Sequence, residues 1–161
     1  MQMKMLWYLA YIPALIWMLI IGGFSGSDAK QSSSLSLDVT ERLVEIIDIG
    51  EPMSEQEFYE VVELLHAPVR KLAHMTEFAI LYVLLIIPSA VLFGMNKKIV
   101  GIVFLICVLF AMSDEFHQTF TPGRDGNITD VLIDSLGAAI GMLVSLGVNK
   151  FTNSKIKGKS K

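Results

Sequence analysis

Residues 71–93 read KLAHMTEFAILYVLLIIPSAVLF. The 16 residues 78–93 carry no charge. A helix needs about 20 apolar residues to cross a hydrocarbon layer roughly 30 Å thick. This run reaches that length only when the turns bearing Lys71, His74 and Glu77 are added. A span over 71–93 therefore places ionisable groups at membrane depth, in its outermost turns. Three other stretches behave alike. Residues 6–23 are 18 residues without a charge, and 99–113 and 135–149 are uncharged runs of 15. With their flanking turns they predict spans over 6–24, 99–118 and 130–149.

Composition agrees. The chain has 161 residues, 53% hydrophobic and only 18% charged, with a mean hydropathy of +0.56. Soluble domains carry about 25% charged residues. The net charge of −3 gives no support for nucleic-acid binding, and the single cysteine, Cys107, excludes an internal disulfide framework. The reading is one all-α integral membrane domain over 1–161: a four-helix transmembrane bundle with a short two-helix extracytoplasmic segment between spans 1 and 2.

Lysine and arginine placement sets the orientation. The 94–98 link carries Lys97 and Lys98, and the 150–161 tail carries five lysines and no acid. The 25–70 segment has ten acids against three bases. Both termini are expected in the cytoplasm, with 25–70 and the 119–129 turn outside. The first apolar run is read as a retained span: it is long for a signal-peptide core, and Ser27-Asp28-Ala29 is a poor cleavage site. In the outer segment, Ser25 to Ser34 reads as a flexible polar linker. Asp38-Val-Thr-Glu41 reads as a capping box opening a helix to about Asp48, and Ser54-Glu-Gln-Glu57 as one opening a second helix to about His66. Gly50-Glu-Pro52 separates them. Their apolar stripes suit a lid lying on the bundle or at the lipid interface. The lysine-rich tail is expected to be disordered.

The chemistry-bearing residues collect at three helix ends. Lys71, His74 and Glu77 recur every three residues, within a 120° arc at about 100° per residue. Asp114, His117 and Gln118 share a face, with Glu115 beside it. Asp130 and Asp134 lie one turn apart, and Gly137 and Gly141 continue that stripe as a small-xxx-small pair that lets helices approach closely. Taken singly, each has an ordinary structural explanation. Lys71 snorkels, Asp130 caps a helix, and the glycines serve packing. Together they are harder to explain so, because charged groups inside spans are costly and rare. Five carboxylates (Glu77, Asp114, Glu115, Asp130, Asp134) face two fixed cations, Lys71 and Arg124. Such a group needs shared protons, charged histidines or a bound cation. The carboxylates with His74 and His117 are of the type that binds a divalent metal, but no zinc spacing such as HExxH is present, and no cofactor is expected.

These residues resemble the VanZ-like family. The resemblance is carried by Arg70-Lys-Leu-Ala-His74-Met-Thr-Glu77-Phe, Ser113-Asp-Glu-Phe-His-Gln118, Thr121-Pro-Gly-Arg124, and Asp130, Asp134, Gly137 and Gly141. The polar residues 32–36 after Phe24-Ser25 also fit. Asp134 departs from the pattern, since asparagine is expected there more often. The resemblance implies a small bacterial membrane protein linked to resistance against glycopeptide antibiotics such as teicoplanin. It supplies no settled molecular activity.

Three functions follow as expectations. In the first, an enzyme acts on an envelope lipid or glycan at the outer leaflet. Asp114 or Glu115 with His117, and His74 oriented by Glu77, are its catalytic candidates. Arg124 and Lys71 would hold a phosphate or carboxylate, with Gln118, Asp130 and Asp134 completing the binding site. In the second, the same residues form a noncatalytic module binding the antibiotic, an envelope polymer or a partner protein. The third, a small transporter, is disfavoured by four spans without an inverted repeat.

The topology is testable by thiol labelling of intact cells. Cysteines introduced at Ser33 and Asp125 should react with an impermeant reagent, and one at Ser154 should not. Labelling at Ser154 would invert the assignment.

Overall fold

A computed structural model describes residues 7–25, 29–47, 53–122 and 126–159. Every regular element among them is helical. The helices are α1 (Ile12–Ser25), α2 (Ala29–Ile47), α3 (Glu55–Phe93), α4 (Lys97–Gln118) and α5 (Ile128–Lys159). A helical turn from Trp7 leads into α1, so that Trp7–Ser25 acts as one apolar unit. That unit, α3, α4 and α5 are each long and apolar enough to cross a membrane, which makes the chain a multi-pass membrane protein.

The core runs along α3. Phe78, Leu81, Tyr82, Leu85 and Ile86 are buried there, against Val100, Val103, Cys107 and Ala111 of α4. Those four α4 positions fall at three- and four-residue steps, one helical face. Ala14 and Ile21 of α1 and Val131 and Ala138 of α5 close the cluster. Leu19, Leu105, Leu109, Leu132 and Leu143 point outward and are more than half exposed. A lipid surround accounts for that belt.

The α3–α5 seam is the tightest. A Cβ at Gly137 would strike the Met75 carbonyl oxygen, and one at Gly141 would lie 2.5 Å from the Ala79 carbonyl oxygen. Both glycines let one backbone rest on the other. Trp17 Nε1 donates to the Glu77 carbonyl at 2.9 Å, and the Tyr11 hydroxyl meets Ser89 Oγ at 2.8 Å, fastening α1 to α3.

The outer segment differs from expectation in three respects. The serine-rich stretch is helical: α2 begins at Ala29, so Asp38 lies inside a helix and caps nothing. Serine has modest helix propensity, and packing decides here. Thr40 and Val44 of α2 and Val62 of α3 are buried. Ser36 Oγ lies 2.6 Å from His66 Nε2, and Thr40 Oγ1 donates to the Ser36 carbonyl at 2.7 Å. Second, the capping box at Ser54 forms as the sequence predicts, but its helix does not stop near His66. It continues through Pro68 into the span as one helix of 39 residues. At 1.5 Å per residue that is roughly 58 Å, about twice the hydrocarbon thickness. The proline costs one backbone bond without ending the helix. Third, α2 pairs with the outer part of α3, so the segment is a helical hairpin carried on α3. The expected break at 50–52 lies outside the described residues. At the other end, α5 runs to Lys159, so the tail expected to be disordered begins as helix.

At the Ser54 cap, hydrogen bonds from the Ser54 backbone and hydroxyl hold the Glu57 carboxylate below its ordinary range. A carboxylate lowered on folding stabilises the folded form above the unfolded pKa, and this is lost as pH falls through the folded value. The first turn of α3 should therefore lose hydrogen-exchange protection on acidification in the wild type, and at neutral pH in Ser54→Ala.

The seam makes a sharper prediction. Gly137→Ala should lower stability by about 1–3 kcal/mol, the usual cost of overpacking, because backbone must move. Gly147→Ala should be neutral or slightly stabilising, since nothing lies within 4 Å of its added carbon. Thermal unfolding in detergent measures both, and equal effects at the two sites would contradict the packing account.

Candidate functional site

Four helices supply the polar residues. α3 contributes His74 and Glu77 from the turns where its apolar run begins. α4 ends in Asp114, Glu115 and Gln118, all buried, with exposures of 4%, 5% and 3%. α5 enters with Asp130, half-buried, and Asp134, fully buried. α1 ends at Ser25, also buried.

The α4 residues form a hydrogen-bonded chain. Ser25 Oγ donates to Asp114 Oδ2 at 2.5 Å. The Gln118 amide donates to the same oxygen at 3.2 Å and to Glu115 Oε1 at 2.9 Å. One amide thus bridges two carboxylates. The Asn127 backbone N–H donates to Glu115 Oε2 at 2.9 Å. The loop reaches Glu115 because residue 126 is glycine: a Cβ there would strike the Glu115 carbonyl oxygen and approach Thr119 Cγ2 to 2.7 Å. This chain pins the end of α4 to the end of α1 and to the start of α5.

The α3–α5 side is different. His74 Nδ1 lies 3.7 Å from Glu77 Oε2 and 3.8 Å from Asp134 Oδ1. The side chains of His74 and Glu77 are 22% and 24% exposed, so this side is partly open. Neither oxygen of Asp134 has a hydrogen-bond partner among the described residues. Glu77, Asp114, Glu115 and Asp130 all lie near enough to act on Asp134 electrostatically. Asp134 sits one turn before Gly137, and His74 is next to Met75, whose carbonyl Gly137 meets. The glycine contact therefore sets the distance between Asp134 and His74.

The structure brings together His74, Glu77, Asp114, Glu115, Gln118, Asp130 and Asp134. It leaves two candidates outside. Lys71 is exposed on α3, and His117 is exposed on α4. The buried arc of α4 is centred between Asp114 and Glu115, about 100° from His117. The expected face of Asp114, His117 and Gln118 with Glu115 beside it is thus rotated: Glu115 turns in and His117 turns out. An acid–base pairing of Asp114 or Glu115 with His117 has no support from this arrangement. Arg124 lies outside the described residues. Among the described residues no three His, Cys, Asp or Glu side chains are grouped closely enough to hold a metal ion. Ser25 and the Asn127 N–H were missed in sequence. The signals for Ser25 were its place as the first hydroxyl after an apolar run and the Phe24-Ser25 pair in the family resemblance.

The VanZ/LLP1 family profile matches residues 9–149. The chain belongs to that family, and the match spans all four membrane-crossing helices. No curated protein and no solved structure matches the chain.

Removing one donor from the chain of hydrogen bonds should be costly. Ser25→Ala takes a short bond from the buried Asp114, and about 1–3 kcal/mol of stability should go with it. Ser113→Ala, at an exposed neighbouring position, is the control. Equal unfolding midpoints would show that the Ser25–Asp114 bond contributes nothing.

Proposed function

We propose that this VanZ-like protein is a recognition module of the bacterial cell membrane, with both termini in the cytoplasm and its polar site in the outer leaflet. There it binds a polar group of an envelope lipid, glycan or glycopeptide antibiotic, and through that contact contributes to glycopeptide resistance, teicoplanin first. The observation that supports it most is Asp134, a buried carboxylate without a hydrogen-bond partner among the described residues, facing the partly open pair His74 and Glu77. A group confined to structural duty would be expected to have its hydrogen bonds satisfied.

Recognition is favoured over catalysis by the state of the remaining carboxylates. Asp114 and Glu115 accept hydrogen bonds from Ser25, Gln118 and the Asn127 N–H, and no buried histidine of α4 stands beside them as a base. The acidic site also suits a phosphate poorly, and Lys71, one of its two proposed anchors, is exposed. An enzymatic reading keeps one support, the His74–Glu77 pair at 3.7 Å. This is the arrangement of a general base and the carboxylate that orients it, slightly beyond hydrogen-bond reach.

The test is a teicoplanin susceptibility assay in a sensitive host, with membrane levels quantified. Asp134→Ala and Glu77→Gln should lose protection at unchanged protein level, while Lys71→Ala and His117→Ala should keep it. Full protection by Asp134→Ala would sink the recognition site. Turnover of an extracted envelope lipid, abolished by His74→Gln, would replace recognition by catalysis.

A further inference from the structure

We propose that the outer site is a receptor for a primary ammonium group, bound between Asp134 and Glu77 on the side where His74 lies. This rests on the recognition reading above and names the chemistry recognised. The site has a marked imbalance of charge. Glu77, Asp114, Glu115, Asp130 and Asp134 bring five carboxylates to one end of the bundle. Among the described residues packed with them, His74 is the group that can carry a positive charge; Lys71 is exposed one turn away, and Arg124 lies outside the described residues. Asp114 and Glu115 are already engaged by hydrogen-bond donors. Asp134 is not, although it is fully buried. Among the described residues its oxygens are buried acceptors without a hydrogen-bond donor, with Glu77 on the partly open side of His74.

Spacing selects the kind of cation. Zinc, magnesium or calcium is held by several donors about 2.0–2.6 Å from the ion, and among the described residues no three His, Cys, Asp or Glu side chains are placed to do so. An ammonium accepts N···O distances of about 2.7–2.9 Å, and its three N–H donors serve separate acceptors. A quaternary ammonium has no N–H to give and is held by aromatic faces. The described residues here are carboxylates and one imidazole. A guanidinium prefers a coplanar, bidentate carboxylate, whereas Asp134 and Glu77 approach from two helices.

An ammonium reaches the outer leaflet from two sources, a lipid headgroup or an amino group on a glycan or soluble ligand. The experiment separates them. Full-length protein in phosphatidylglycerol nanodiscs is unfolded thermally, with phosphatidylethanolamine or phosphatidylcholine added to the disc, or with glucosamine added to the buffer. A ligand bound to the folded form raises the midpoint in proportion to its saturation. Phosphatidylethanolamine or glucosamine should raise it, and phosphatidylcholine should not. The arm that responds identifies the source. Asp134→Asn and Glu77→Gln should each weaken the apparent affinity by about tenfold or more, the loss of one charge-assisted bond. Without ligand, Asp134→Asn should unfold no earlier than wild type, because the carboxyl it replaces has no hydrogen bond among the described residues to lose. No rise with either amine, an equal rise with phosphatidylcholine, or an unchanged rise in both variants would overturn the ammonium assignment. If the amines fail while Asp134→Ala and Glu77→Gln still lose teicoplanin protection at normal membrane level, recognition stands and only its ligand class falls.

Discussion

Two glycines of α5 resting on two carbonyls of α3 determine the rest of this structure. In a bilayer the hydrophobic effect does not press helices together, so close packing and polar contacts must do so. Gly137 against Met75 and Gly141 against Ala79 bring α5 to α3 at backbone distance. That approach buries Asp134 completely and places it opposite His74. Any side chain at 137 would push α5 out and open the acidic site. The packing residues and the chemical residues thus belong to one stripe, spaced at one turn: 130, 134, 137, 141.

The polar site in turn holds the helix ends. Water is scarce at this depth, and buried polar groups left unmatched are expensive. The end of α4 meets this constraint through Ser25, Gln118 and the Asn127 N–H, which draw α1, α4 and the α4–α5 loop to one place. Asp134 is the exception. A bundle that gives Asp114 and Glu115 hydrogen-bond donors and gives Asp134 none among the described residues spends stability there, and that asymmetry is the reason to assign a ligand to Asp134 rather than to its neighbours.

Much of this was legible in the sequence because apolar run length and glycine spacing are direct physical signals. The four spans, the Ser54 cap and the convergence of His74, Glu77, Asp114 and Asp134 follow from them. The outer hairpin was harder. Serines 32–34 and 36 look like a linker by local propensity, yet the packing of α2 on α3, with Thr40, Val44 and Val62 buried, keeps them helical, and no local pattern encodes that packing. The second outer helix is expected to end near His66, yet apolar packing below Pro68 and a capped turn above it carry α3 through. His117 and Glu115 exchanged places because Asp114, His117 and Gln118 fit one arc as well as Asp114, Glu115 and Gln118 do. Only the position of α5 and the 126–127 backbone selects the second arc.

The central claim is that Asp134 and His74 act as one unit across the α3–α5 seam. A double-mutant cycle of His74→Gln and Asp134→Asn, read as unfolding free energy of the full chain in detergent, tests it most directly. The account predicts a coupling energy of about 0.5–3 kcal/mol, the range for residues in contact. Additivity within about 0.3 kcal/mol, as for distant sites, would contradict it.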